Sequence, residues 1–264
     1  MKIDPRLFEY YESLFVEQDR LSTREGQLEL VRTKELLSRY LPKTSAKIID
    51  IGGGTGIYAE WLASLGHQVH LIDIMPDHVD QALSKGTFTT AVGDARSLLV
   101  SDGEYDVALL LGPLYHLRDQ KDRLKAIEEA HRVVCSGGLV IAAFITRGAV
   151  ALDGYVKGWL DNPDASQMMQ DIIKDGLHNS DRSGFSVTAC FHLPDDARSE
   201  LIDAGLEVLS IFGIEGPGWI ASDFEERWSS PEGRKIILES ARACESEPQL
   251  QALSGHLLAV TQKS

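Results

Sequence analysis

Ile48-Ile49-Asp50-Ile51-Gly52-Gly53-Gly54-Thr55-Gly56 is the stretch on which the fold turns. An apolar run of strand length, Ala46–Ile51, ends in a cluster of glycines. Ile57, Trp61, Leu62 and Leu65 then recur on one helical face, and Gly66 stands where a helix-ending glycine belongs. Glycines between a strand and a helix let the backbone approach a ligand with no Cβ in the way. The first turn of the helix offers free N–H groups to a carboxylate or phosphate.

Working outward, the same pattern repeats. A second run, Gln68–Ile72, ends at Asp73, and a third, Phe88–Val92, ends near Gly93-Asp94. A fourth, Tyr105–Leu111, ends at Gly112-Pro113 and is followed by a helix face of Leu124, Ile127, His131 and Val134. Gly137-Gly138 is expected to turn the chain into a fifth run, Leu139–Phe144. Alternating strands and helices with short connections predict an α/β fold, a parallel sheet covered on both faces. Upstream, residues 5–41 read as helical and Pro42 ends the pattern. Downstream, 146–192 reads as a mostly helical insertion, followed by a helix over 195–204 capped by Gly205 and a run from Leu206 to Ile214. A second insertion spans 215–230. Ser230-Pro231 then opens the last helix as N-cap and N1, and a strand over 256–261 closes the chain.

Composition narrows the function classes. The 264 residues are 43% hydrophobic and 25% charged, ordinary for a folded soluble protein, so disorder is a poor reading. A formal net charge of −14 argues against a nucleic-acid partner, whose phosphates call for Lys and Arg. The amino-terminal residues lack an apolar signal core, and the longest apolar runs fall short of a membrane span, so no membrane partner is expected. Cys135, Cys190 and Cys244 are far apart, which suits the reduced cytoplasm and reads as buried bystanders. The eight histidines form no HExxH pattern and no acid cluster has ligand spacing, so no metal is expected.

Two cofactor classes fit the glycine turn. Gly54-x-Gly56-x-x-Ala59 satisfies the dinucleotide pattern, and Asp73 stands where either cofactor's ribose would meet a carboxylate. The spacing Asp50-x-Gly52-x-Gly54-x-Gly56, however, resembles the first motif of the class I S-adenosylmethionine-dependent methyltransferases. The resemblance covers about residues 46–145. It implies a Rossmann-like, doubly wound sheet of seven strands in the order 3-2-1-4-5-7-6, the last strand antiparallel, in one domain over 1–264. Helical lid segments are expected at 1–41, 146–192 and 215–230, closing over both substrates.

The resemblance also implies roles. Asp50 orders the loop near the cofactor's amino-acid end, and Gly52 and Gly54 pass beneath its methionine and ribose. Asp73 accepts from the ribose hydroxyls, Asp94 with the Ala95 amide meets the adenine, and Leu111 and Gly112 line the methionine portion. Leu111–Leu117, Phe191–Pro194 and Glu215–Trp219 are similar to a bacterial branch acting on small molecules. Methyl transfer to O or N of a small acceptor is therefore expected, and no Asn/Asp-Pro-Pro motif of amino-directed nucleic-acid enzymes follows the fourth strand.

His116, just beyond that strand, is the candidate general base, with packing beneath the lid as the alternative. Tyr11, Tyr115, Trp159, His192 and Trp219 are the candidate acceptor contacts, each also fitting a packing role. Tyr10, Phe191 and His178 fall in the same expected lid segments, and Arg24 or Arg32 could pair with the cofactor carboxylate, a solvated surface position being the alternative. The oligomeric state is not legible.

Overall fold

The central strands are buried on nearly every residue because a parallel sheet is covered on both faces. In the computed structural model, which describes residues 21, 23–178 and 189–264, β1 (Lys47–Ile51) exposes only Lys47, and β4 (Tyr105–Leu110) exposes only Asp106. Ile48, Ile49, Ile51, Val107, Leu109 and Leu110 are fully buried. Each such aliphatic side chain contributes about 1.5–3 kcal/mol by leaving water.

The order along the chain is α1 (Arg24–Tyr40), β1, α2 (Ile57–Ser64), β2 (Gln68–Asp73), α3 (Pro76–Leu83), β3 (Thr89–Val92), β4, α4 (Gln120–Val133) and β5 (Val134–Thr146). Then come α5 (Arg147–Lys157), α6 (Pro163–Asp175), β6 (Phe191–His192), α7 (Pro194–Asp203), β7 (Glu207–Gly213), α8 (Phe224–Ser229), α9 (Pro231–Cys244) and β8 (His256–Gln262). The sheet runs β3-β2-β1-β4-β5-β8-β7, and the two-residue β6 pairs with β5 off this path. Leaving β6 aside, this is the expected order. Strands β1 to β5 pair in parallel. β8 runs antiparallel to β5: Gly137 donates to Lys263 at one end and Thr146 to Gly255 at the other.

Two local expectations need revision. β5 begins at Val134, ahead of Gly137-Gly138, because Tyr105 already pairs with Val134 and the register shifts before Val107 meets Leu139. The glycines thus lie inside the strand. Second, Leu177 bridges to Cys190, and Ile145 and Thr146 pair with Phe191 and His192, adding strand structure to a stretch read as helical. By contrast, Ser230 caps α9 as expected, its side chain accepting from the Gly233 N–H.

The chain divides into two compact units. One holds the described residues up to Arg39, Phe144–Asp196 and Ile211–Leu258, and takes in most of the stretches expected to form the lid. The other holds Tyr40–Ala143, Ala197–Ser210 and Ala259–Ser264. Among the described residues no helix is long and apolar enough to cross a membrane.

Candidate active site

Parallel strands deliver their carboxyl ends to one edge of the sheet, and there the second unit gathers its chemistry. Asp50 pairs in register with Leu71 of β2 and Leu109 of β4, and Asp73 ends β2 beside Val92 of β3. The glycine loop after β1 is stitched to β2: Gly52 N–H donates to the Ile72 carbonyl at 2.7 Å. Gly54 N–H donates to Asp73 Oδ2 at 2.8 Å, and Met75 N–H donates to Asp73 Oδ1 at 2.9 Å. Each carboxylate oxygen keeps a further lone pair, so Asp73 holds the loop and can still accept from two hydroxyls.

Glycine is required here by geometry. Gly52 has φ +71°, and a Cβ on it would stand 2.8 Å from Pro113 Cδ. Gly53 lies against the Asp50 carboxylate, where a Cβ would come within 2.7 Å of Oδ2. A side chain at Gly52 would run into Pro113, and one at Gly53 into Asp50 and Leu71.

Asp50 is 1% exposed, and neither of its oxygens has a hydrogen-bond partner among the described residues. Burial, and then the nearby Asp73 charge, push its carboxyl up to about 7. The buried Thr55 hydroxyl, in the loop that follows, is also without a hydrogen-bond partner there. Buried polar groups are nearly always satisfied, so two of them five residues apart at this strand end mark a place suited to a ligand. A cofactor with a cationic amino group beside an amphipathic nucleoside fits these residues: an orphaned acid, a glycine loop that presents bare backbone and a second carboxylate with spare lone pairs.

Asp94 and Ala95 follow β3, both half-buried. Asp94 is clasped by Arg96, whose Nε and Nη2 donate to its two oxygens at 2.9 and 2.7 Å. Burial raises the Asp94 pKa, but the Arg96 bonds and charge outweigh it and hold the acid below its ordinary range. Most of its accepting capacity is therefore engaged, a pairing that the spacing Asp94-Ala95-Arg96 could have suggested.

Beyond β4, Leu111 and Gly112 are half-buried, and Leu114–His116 make one 3-10 turn. A Cβ on Gly112 would meet the Gly52 carbonyl at 3.4 Å and the Tyr115 hydroxyl at 3.5 Å, so Tyr115 folds back over the same gap. The His116 ring packs on Tyr115, centroids 4.7 Å apart. Arg123 of α4 anchors this turn, donating to the Leu117 and Arg118 carbonyls at 2.8 Å each while its other nitrogens clasp Glu200 of α7.

The remaining expected residues belong to the first unit, apart from Tyr10 and Tyr11, which lie outside the described residues. Trp159 donates from Nε1 to Asp153 and packs on Val150, Met168 and Ile172. Trp219 donates to the Leu253 carbonyl at 2.8 Å and packs on Leu28, Phe224, Trp228 and Ile237. His192 is 2% exposed and meets Phe144 edge-on at 4.8 Å, and His178 is buried. Arg32 does not stand free for a cofactor carboxylate: it is fully buried, donates to the Ile214 carbonyl and pairs with Glu35 and Glu245. Cys190 is buried as expected, whereas Cys135 and Cys244 are half-buried.

Sequence reading missed one cluster: Glu29, Glu215 and His256 bring possible ligand atoms within 4.8 Å of one another. His256 Nδ1 lies 2.6 Å from Glu215 Oε1, the geometry of a hydrogen-bonded pair. No local spacing could have signalled it.

Residues 49–142 match the methyltransferase domain family. A ubiquinone biosynthesis O-methyltransferase of Methylobacterium nodulans is 34% identical over 187 residues, 67% of this chain and 66% of that protein. A Thermotoga maritima structure, described as an S-adenosylmethionine-dependent methyltransferase and possible histamine N-methyltransferase, has TM-score 0.63 at 16% identity. It covers 98% of this chain and 99% of its own. A solved cyclase shares the fold at TM-score 0.56 and 17% identity, covering 89% of this chain and 81% of its own. Residues 49–142 carry the domain of the class I S-adenosylmethionine-dependent methyltransferases, a family whose methyl donor is S-adenosylmethionine. The chain spans just under two thirds of the length of the Methylobacterium relative.

Proposed function

We propose that the chain transfers a methyl group from S-adenosylmethionine to an oxygen or nitrogen of a small molecule. Oxygen is the first to test, because the Methylobacterium relative is an O-methyltransferase. The observation that carries the reading is the orphaned Asp50 carboxyl beside a glycine loop in which neither Gly52 nor Gly53 has room for a side chain. In this reading Asp50 serves the cofactor's ammonium, Gly52 and Gly54 its methionine and ribose, and Asp73 its ribose hydroxyls. Asp94 and Ala95 serve the adenine, and Leu111 and Gly112 the methionine chain. The cofactor, when bound, supplies an electrophilic methyl group. The residues' task is then to align an acceptor and exclude water.

His116 is the proposed base for an acceptor that must lose a proton, held in place by the turn that Arg123 anchors. A phenol that must ionise needs such a base more than an amine already neutral. His116→Gln should lower kcat for a phenolic acceptor by about 100-fold or more while leaving S-adenosylhomocysteine affinity unchanged. An equal loss of both would refute the assignment.

The deciding experiment is calorimetric titration with S-adenosylmethionine, S-adenosylhomocysteine and NAD(H). The two sulfur ligands should bind and the dinucleotide should not. Asp73→Ala should cost about 2–4 kcal/mol of cofactor affinity. Because Asp73 also accepts from the backbone N–H groups of Gly54 and Met75, Asp73→Asn, which keeps one accepting oxygen, should lose less. Binding of NAD(H) alone would overturn the reading.

A further inference from the structure

Asp50, one residue before the end of β1, stands in a setting that offers its charge nothing. Leu71 and Leu109 flank it in register, and Gly53 covers one oxygen. The charged group acting on it is Asp73, of its own sign, and Asp73 in turn has His78 Nδ1 at 3.5 Å. No protein donor among the described residues reaches either Asp50 oxygen. An ionised carboxylate in such a place is costly unless a cation or donors arrive with a ligand.

We propose that cofactor capture is proton-coupled: Asp50 is a neutral acid in the free protein and becomes a carboxylate when a cationic amino group is bound beside it. The inference rests on the cofactor reading above. The bond that breaks is the Asp50 O–H, its electron pair stays on the carboxylate oxygen, and the proton goes to solvent. An ion pair with the ligand's ammonium replaces it. The burial and like-charge neighbour that push this carboxyl up to about 7 agree with that direction.

The consequence is a pH-dependent affinity with a defined sign. Below neutrality the free protein holds the proton that binding must expel, so affinity for S-adenosylhomocysteine weakens by about tenfold per pH unit as pH falls below about 7. Above it the affinity is level. Asp50→Asn has no proton to release and loses this dependence.

The test titrates the whole chain with S-adenosylhomocysteine at about pH 6 in buffers of differing ionisation heat. About one proton released per ligand, falling towards none at about pH 8.5, is the expected result. Binding without proton release, or release that persists in Asp50→Asn, overturns the inference while leaving the cofactor assignment intact. Absence of binding at every pH overturns the cofactor assignment and this inference together. Carboxyl carbon NMR of the unsubstituted protein gives a check that does not depend on the variant folding. One aspartate should titrate near neutrality in the free protein and not when saturated with S-adenosylhomocysteine; finding none overturns the inference.

Discussion

Two buried charge centres, one in each unit, are built on opposite principles. In the first unit Arg32 is fully buried and its charge is matched: Nε donates to the Ile214 carbonyl, Nη2 to Glu245, and Nη1, without a hydrogen bond, forms an ion pair with Glu35. Arg39 pairs with both glutamates, and Arg242 with Glu35. In the second unit Asp50 is equally buried and engages nothing. A centre whose members satisfy one another holds a fold together; one left unsatisfied is held by the fold for something else.

The two centres also shift their acids in opposite directions. Burial raises the Glu35 pKa, but hydrogen bonds from Arg242, Arg32 and Arg39 overcome it and bring the acid down to about 2. Glu35 therefore stabilises the fold fully above its ordinary value of 4.5, and that contribution is lost as pH falls towards 2. Asp50 behaves in reverse. The unfolded chain releases this proton near 3.8 and the folded one only near 7, so stability falls as pH rises across that window.

The largest expected effect is on the satisfied centre. Arg32→Leu leaves Glu35 and Glu245 without their buried partner and should destabilise by about 3–5 kcal/mol, read from urea unfolding. A loss below about 1 kcal/mol would mean that the cluster is not the clamp described. On the orphaned centre the sign reverses. Asp50→Asn should make the unliganded protein more stable at about pH 8, by up to about 4 kcal/mol, with little gain at about pH 4. A variant less stable than the parent at about pH 8 would show that Asp50 has a structural partner after all.

A milder version compares two buried threonines. Thr146 Oγ1 donates to the Ser254 carbonyl at 2.7 Å and accepts from the Ala149 N–H at 3.0 Å. Thr55 Oγ1 has no hydrogen-bond partner among the described residues. Thr146→Val should therefore cost about 1–3 kcal/mol of thermal stability, and Thr55→Val about none. Equal losses would erase the distinction between the two centres.

The cofactor-side architecture was readable because it is local. Asp50, the glycines and α2 follow one another directly, and Asp73, Asp94 and Gly112 each stand just past an apolar run whose period announces a strand. Parallel strands covered by helices then bring those ends to one edge with little further choice. The added strand pair at Leu177 and Cys190 was not readable, because two or three residues of pairing carry no period.

Sequence alone thus determined the class of fold, the loop beside β1 and the acids at the strand ends, since hydrophobic period and glycine placement act over a few residues. Only tertiary structure decided which charges are satisfied. Arg32 meets Glu245 across 213 positions, and His256 meets Glu215 across 41. Whether Asp50 is a clamp or a vacancy for a ligand's charge depends on what packs above it. Burial and hydrogen bonding are properties of neighbours in space, and separation along the chain carries no record of them.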